Sequence, residues 1–137
     1  MAKVFLSLHV LAAILMIGPI AVAASLFPRY ARSADGGAAV LHRICRGYAF
    51  AGLVVPVFGL ATGSALGVLG DPWLIASVIL TALAAGVLGA VILPGQARLL
   101  ETGDGAARLA MMTGVFNLLW AVVVVLMIVR PGSTTGA

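Results

Sequence analysis

The sequence predicts an all-α membrane protein, in which four helices cross a lipid bilayer as a single domain over residues 1–137. Hydrophobic residues make up 63% of the chain and charged residues only 9%. A soluble domain carries roughly 25% charged residues, because its surface must face water. Four apolar stretches each reach the ~20 residues that a spanning helix needs. None of them alternates in polarity as the strands of a membrane barrel do.

The four predicted spans cover about residues 4–27, 44–69, 73–93 and 109–129. Pro19 and Pro56 fall inside the first two spans, and each is expected to kink its helix and to free backbone carbonyl groups. Asn117 is the one strongly polar side chain inside the fourth span, and we expect it to form a hydrogen bond with a neighbouring helix.

The first span has an alternative interpretation as a signal peptide. Lys3, the apolar run and the Ala21-Val22-Ala23 triplet are typical of a secretory signal with its cleavage site. Cleavage would leave three helices. The apolar run is long for a signal peptide, which favours a spanning helix.

The charged residues predict the orientation. The first and third connections hold most of the bases: Arg29, Arg32, Arg43, Arg46, Arg98 and Arg108. The second connection, residues 70–72, has no base, and Lys3 and Arg130 lie at the opposite end. The positive-inside rule therefore predicts that this end faces the cytoplasm and that both termini lie outside. Bases at the ends of apolar spans suit anionic lipid headgroups. The sequence has no basic run with stacking aromatic residues, so it does not indicate a nucleic-acid partner.

The two halves of the chain share a short pattern, P-x-x-A-R, at residues 28–32 and 94–98. A duplication would give two hairpins of the same orientation, related as a parallel repeat. The same pattern also follows from loop chemistry, because proline ends a helix and arginine meets headgroups. Both explanations stay open, and the second is favoured.

Small residues mark faces on which helices can approach closely in lipid. On the second span they are Gly52, Gly59, Gly63 and Gly67; on the third they are Ala82, Gly86 and Ala90, with Ala85 and Gly89 as a neighbouring pair. These faces predict a tight bundle and are suited to a homo-oligomer.

His9 is the main candidate for chemistry, because an ionisable side chain inside a span is costly and by default indicates function. It could supply an axial ligand to haem, with Met127 at comparable depth as a second ligand. A structural role is the alternative, in which the neutral imidazole bonds a hydroxyl. The hydroxyls at similar depth are those of Thr62, Ser64 and Ser77.

His42 and Cys45 lie three residues apart, on one face of the second helix. Two ligands are too few for a closed zinc site. Since Arg43 and Arg46 flank them, we expect a solvated, lipid-facing start of the helix.

Several short motifs carry a family resemblance. They are Leu8-His9 followed by Ala12 and Gly18, and Pro56-Val57-Phe58-Gly59-Leu60. With the four-helix layout, they resemble a bacterial family of integral membrane proteins known as domain of unknown function 2269. That resemblance implies a location in the bacterial cytoplasmic (inner) membrane. More loosely, His9, Gly18 and Pro28-Arg29 are similar to the pattern of HemJ-type protoporphyrinogen oxidases and CopD-like copper-resistance proteins. That likeness implies a haem ligand at His9, but the third helix has no lysine and the first lacks the aromatic residues of those proteins.

Three functions follow as hypotheses. The first is a structural or accessory membrane protein acting through its small-residue faces. The second is a haem- or porphyrin-handling redox protein that uses His9. The third is a small transporter or channel component. The sequence holds no nucleophile elbow, P-loop, HExxH or nucleotide-binding glycine motif, so no catalytic residue is assigned.

Overall fold

A computed structural model describes residues 2–32 and 36–132. Four helices in it are long and apolar enough to cross a membrane: helix 1 (Ala2–Tyr30), helix 2 (Gly37–Leu66), helix 3 (Pro72–Thr102) and helix 4 (Ala106–Val129). They pack side by side as a bundle, which confirms the predicted fold class. Successive helices are joined by short connections and run antiparallel. We call the end with residues 29–32, 36–43 and 98–108 the basic end, and the end with residues 66–73 and 130 the terminal end.

Helices 1 and 3 each contain one wider, π-helical turn. The turns span Ala13–Ile17 and Leu88–Ile92, and each ends two residues before a proline, Pro19 or Pro94. A proline in a helix has no N–H to donate, and its ring clashes with the carbonyl four residues earlier. Widening the preceding turn gives the ring room while the helix continues.

Helix 2 is interrupted once, next to Pro56. Its two α-helical segments, Gly37–Ala51 and Val54–Leu66, are separated by a tight turn at residues 52–53. There the N–H of Val55 donates to the carbonyl of Gly52 at 3.0 Å, a partner three residues back. The missing donor of Pro56 would otherwise leave that carbonyl without its helical partner.

Helix 3 extends past the predicted end at residue 93 and reaches Thr102. Pro94 therefore lies inside a continuous helix, whereas Pro28 lies close to the end of helix 1 at Tyr30. Both prolines are therefore followed by helical residues, and neither ends its helix directly. The two explanations of the match both stay open.

The buried core lies toward the basic end. It joins residues from all four helices: Ile20, Ala23, Ala24, Phe27, Ala38, Cys45, Ala84, Leu88, Ile92, Leu99, Leu109 and Phe116. Here the second half of helix 1 packs on helix 4, and the start of helix 2 packs on the end of helix 3. The first segment of helix 1, Ala2–Ala12, contains no buried residue.

The terminal end is more open. Helix 1 packs on helix 2 and helix 3 on helix 4, while the two pairs touch mainly near the connection between helices 2 and 3. A small cluster of Val68, Trp73 and Leu74 closes that connection. Most of the outer surface is apolar, with large exposed apolar side chains on every helix. A surface of this kind suits lipid, in which apolar side chains cost nothing to expose.

Candidate functional site

His9, on helix 1, is half-buried, and its ring packs against helix 2 just after the interruption next to Pro56. Its Nδ1 is 2.8 Å from the carbonyl oxygen of Val55. A carbonyl oxygen only accepts, so Nδ1 carries the hydrogen and donates it. In the neutral ring Nε2 then keeps a lone pair. This tautomer is the one found in histidines that ligate a metal through Nε2.

Two of the three hydroxyl groups expected around His9 have other partners. Thr62 donates to the carbonyl of Phe58 at 2.7 Å, and Ser77 donates to that of Trp73 at 2.8 Å, each within its own helix. The backbone carbonyl of Val55 takes the place of a hydroxyl. The cost of burying an imidazole in the membrane is thereby offset within the chain.

Gly59 allows the close approach of the His9 ring. A Cβ at this position would lie 2.8 Å from His9 Cε1, closer than real Cβ atoms come, and 3.1 Å from Nδ1. A side chain here would displace the imidazole ring from its place on helix 2. The requirement for glycine therefore comes from the imidazole on the adjacent helix.

The other small residues predicted on helix 2 have different roles. At Gly63, a Cβ would lie 2.9 Å from Leu74 Cδ2 and 3.1 Å from Leu69 Cδ2, so this glycine admits the leucines of the next connection. At Gly52, it would lie 2.9 Å from the carbonyl oxygen of Tyr48, within the interrupted turn. Gly67 ends the helix with φ +71°, a left-handed conformation that favours glycine.

The small residues of helix 3 face outward. Ala82, Ala85, Gly86, Gly89 and Ala90 are all exposed. A Cβ at Gly86 or Gly89 would meet nothing within 4 Å. Unlike Gly59 and Gly63 of helix 2, Gly86 and Gly89 make no close contact with the part of the chain that the structure describes.

Met127 lies in another part of the terminal end. It packs against the cluster of Val68, Trp73 and Leu74, whereas His9 contacts the Val55–Gly59 region. The two residues predicted as haem ligands therefore belong to different groups of contacts. Of these two residues, His9 has a ring nitrogen, Nε2, whose lone pair the tautomer leaves available for a metal.

The terminal end holds a group that the sequence did not reveal. Trp73 Nε1 donates to Asp71 Oδ2 at 3.0 Å, and the guanidinium of Arg130 lies 5.5 Å from the centre of the Trp73 ring. Arg130 Nε also donates to the carbonyl of Met127 at 3.3 Å. Stacking of this kind links the end of helix 4 to the start of helix 3.

A second polar group lies inside the basic end. His42 Nδ1 donates to Gln96 Oε1 at 2.8 Å, and Gln96 Nε2 donates to Cys45 Sγ at 3.5 Å. Gln96 and Cys45 are fully buried, and the ring centres of Phe27 and His42 are 6.4 Å apart. The expected lipid-facing position is therefore wrong for Cys45. The error follows from ending helix 3 at Pro94, because its continuation brings Gln96 against helix 2.

Helix 4 contributes a third set of polar atoms. Asn117 Nδ2 donates to Ser25 Oγ on helix 1 at 3.1 Å, which confirms the predicted bond to a neighbouring helix. Asn117 Oδ1 and Thr113 Oγ1, one turn apart, are buried without a hydrogen-bond partner. A single water could serve both acceptors, since residues four apart lie on one helix face.

In the described part of the chain, no three His, Cys, Asp or Glu residues lie close enough together to hold a metal ion. When compared with protein-family models, curated proteins and solved structures, the chain matches none of them. The resemblance to domain of unknown function 2269 and to HemJ- and CopD-like proteins therefore stays a prediction.

Proposed function

We propose that this chain is a non-enzymatic structural or accessory membrane protein, which docks a second copy of itself through the small residues of helix 3. The outward position of Ala82, Gly86 and Ala90 carries this proposal. Helices in lipid associate through close backbone contact, and small residues permit it. Helix 2 uses Gly59 and Gly63 inside the chain, whereas helix 3 carries five small residues on its outer surface.

The comparison with helix 2 supports this assignment. There, glycine occurs where a neighbour would clash with a Cβ, as at Gly59 and Gly63. At Gly86 and Gly89 no neighbour within the chain explains the absence of a side chain. Glycine within a helix costs roughly 0.5–1 kcal/mol relative to alanine, so a partner helix would offset that cost.

The oligomeric state tests the proposal. Sedimentation equilibrium in density-matched detergent should show self-association of the wild type, and Gly86→Leu should shift it to the monomer. Gly114→Leu is the matched control, because Gly114 is an exposed glycine of helix 4 with nothing within 4 Å of a Cβ. A monomeric wild type, or an equal effect of both substitutions, contradicts docking through helix 3.

Haem binding by His9 is the second candidate. The observation that favours it is the hydrogen bond from Nδ1 to Val55, which orients the ring and leaves Nε2 as the ligating nitrogen. Within this chain His9 would hold the iron from one side only, because Met127 packs in the Trp73 cluster. Haem would supply redox chemistry when bound.

The visible spectrum tests this candidate. After haem-replete expression, the purified wild type should show a Soret band that His9→Leu abolishes, while His42→Leu keeps it. Absence of the band from the wild type rules out haem. The transport hypothesis is tested separately, by solute flux in proteoliposomes.

We also propose a bacterial cytoplasmic membrane with both termini outside. The concentration of arginines at the basic end supports the orientation, and the resemblance to domain of unknown function 2269 supports the bacterial membrane. In a Cys45→Ala background, a membrane-impermeant maleimide should label Gly70→Cys in intact cells and should miss Glu101→Cys. Both positions are exposed, at opposite ends of the bundle. The reverse labelling pattern would overturn the orientation.

A further inference from the structure

An open apolar groove of about 350 Å³ runs along helix 2 on the outer surface of the bundle. Its lining consists of Met16 from helix 1 and, from helix 2, Val40, Arg43, Ile44, Gly47, Tyr48 and Ala51. We propose that this groove binds one anionic phospholipid of the leaflet at the basic end. An acyl chain would lie along the groove, and the phosphate would contact Arg43.

The length of the groove fits a single leaflet. Val40 and Ala51 are eleven residues apart, which corresponds to about 16 Å along a helix. One leaflet contributes about half of the ~30 Å hydrocarbon thickness. Met16, near the middle of helix 1, lies at the deep end, so the groove ends close to the membrane midplane.

The charged and apolar residues of the groove follow the same order as the headgroup and acyl chain of a lipid. Arg43 lies in the part of the groove nearer the basic end, one turn from Val40, and the residues deeper in the groove are apolar or small except for Tyr48. Gly47 is exposed, and a Cβ there would meet nothing within 4 Å, so it leaves room for a chain across the surface of helix 2. An arginine near the surface attracts an anionic headgroup, and its guanidinium suits the phosphate oxygens.

The charge at the end of the groove favours a lipid over a second protein copy. A second copy would bring an apolar helix face against Arg43, and removing a guanidinium from its solvent without an acceptor is costly. An anionic phospholipid supplies the acceptor and the apolar chain in one molecule. This site is independent of helix 3, since its lining residues come from helices 1 and 2 alone.

Native mass spectrometry of detergent-purified protein tests the proposal. The probes are phosphatidylglycerol and phosphatidylcholine with identical acyl chains. The wild type should retain one phosphatidylglycerol in preference to phosphatidylcholine. Arg43→Gln should reduce that retention about fivefold, which corresponds to the ~1 kcal/mol of one arginine at an anionic surface.

Two matched controls make the result specific. Arg46→Gln removes the same charge one turn away, from an exposed residue outside the groove, and should leave retention unchanged. Gly47→Leu should fill the groove and weaken binding of both lipids, whereas Gly114→Leu should not. Equal retention of the two lipids by the wild type, or equal losses for Arg43→Gln and Arg46→Gln, would overturn the proposal. A dimer that Gly47→Leu dissociates would also overturn it, by assigning the groove to a second copy.

Discussion

Gly59→Ala directly tests the contact between helices 1 and 2. The added Cβ would lie 2.8 Å from His9 Cε1, whereas carbon atoms are most stable about 3.5–4.0 Å apart. The ring must therefore move by roughly 0.7 Å or more. That movement stretches the 2.8 Å hydrogen bond from His9 Nδ1 to the Val55 carbonyl toward the limit of a useful interaction.

The size of the effect follows from three contributions to the free energy of unfolding. Overpacking costs about 1–3 kcal/mol. A hydrogen bond between membrane helices contributes about 0.6 kcal/mol on average. Alanine in a helix regains roughly 0.5–1 kcal/mol relative to glycine. We therefore expect Gly59→Ala to destabilise the protein by about 1–3 kcal/mol.

A double-mutant cycle with His9→Ala separates this contact from other effects. Without the imidazole, Gly59→Ala should be neutral or stabilising by up to about 1 kcal/mol. The measurement is reversible unfolding in mixed micelles with increasing dodecyl sulfate, followed by circular dichroism. Gly114→Ala serves as a control in open space. A coupling energy below about 0.5 kcal/mol between the two substitutions would refute the argument, because contacting residues should couple more strongly.

Two further substitutions test the polar groups at the two ends. Gln96→Leu leaves the His42 Nδ1 without its acceptor. It should therefore destabilise the protein by about 1–3 kcal/mol and speed maleimide labelling of Cys45. Unchanged stability and labelling would show that the hydrogen bonds of Gln96 are dispensable. Arg130→Gln removes the guanidinium over the Trp73 ring, so it should cost about 0.5–2 kcal/mol and shift tryptophan fluorescence measured in a Trp120→Phe background. Lys3→Gln, a loss of charge at the same end, should leave that fluorescence as it is, and an equal shift in both variants would argue against stacking.

The sequence by itself determined the number of spans, the all-α class and the division of charge between the two ends. These features depend on composition and on segment length, because a helix must satisfy its own backbone in lipid and must cover a fixed thickness. The same local chemistry identified Asn117 as a residue that bonds another helix, since an amide inside a span needs a partner.

Only the tertiary structure decided which face of each helix points inward. In a soluble protein the polar face of a helix reveals its buried side, but a membrane helix is apolar on both sides, so periodicity carries little information. The small residues of helices 2 and 3 have similar spacing in the sequence. In the structure, however, Gly59 contacts the His9 ring, while Gly86 faces outward. Gln96 reaches His42 and Cys45 because the wider turn before Pro94 lets helix 3 continue. That continuation depends on packing against helices 2 and 4, which a local pattern does not contain.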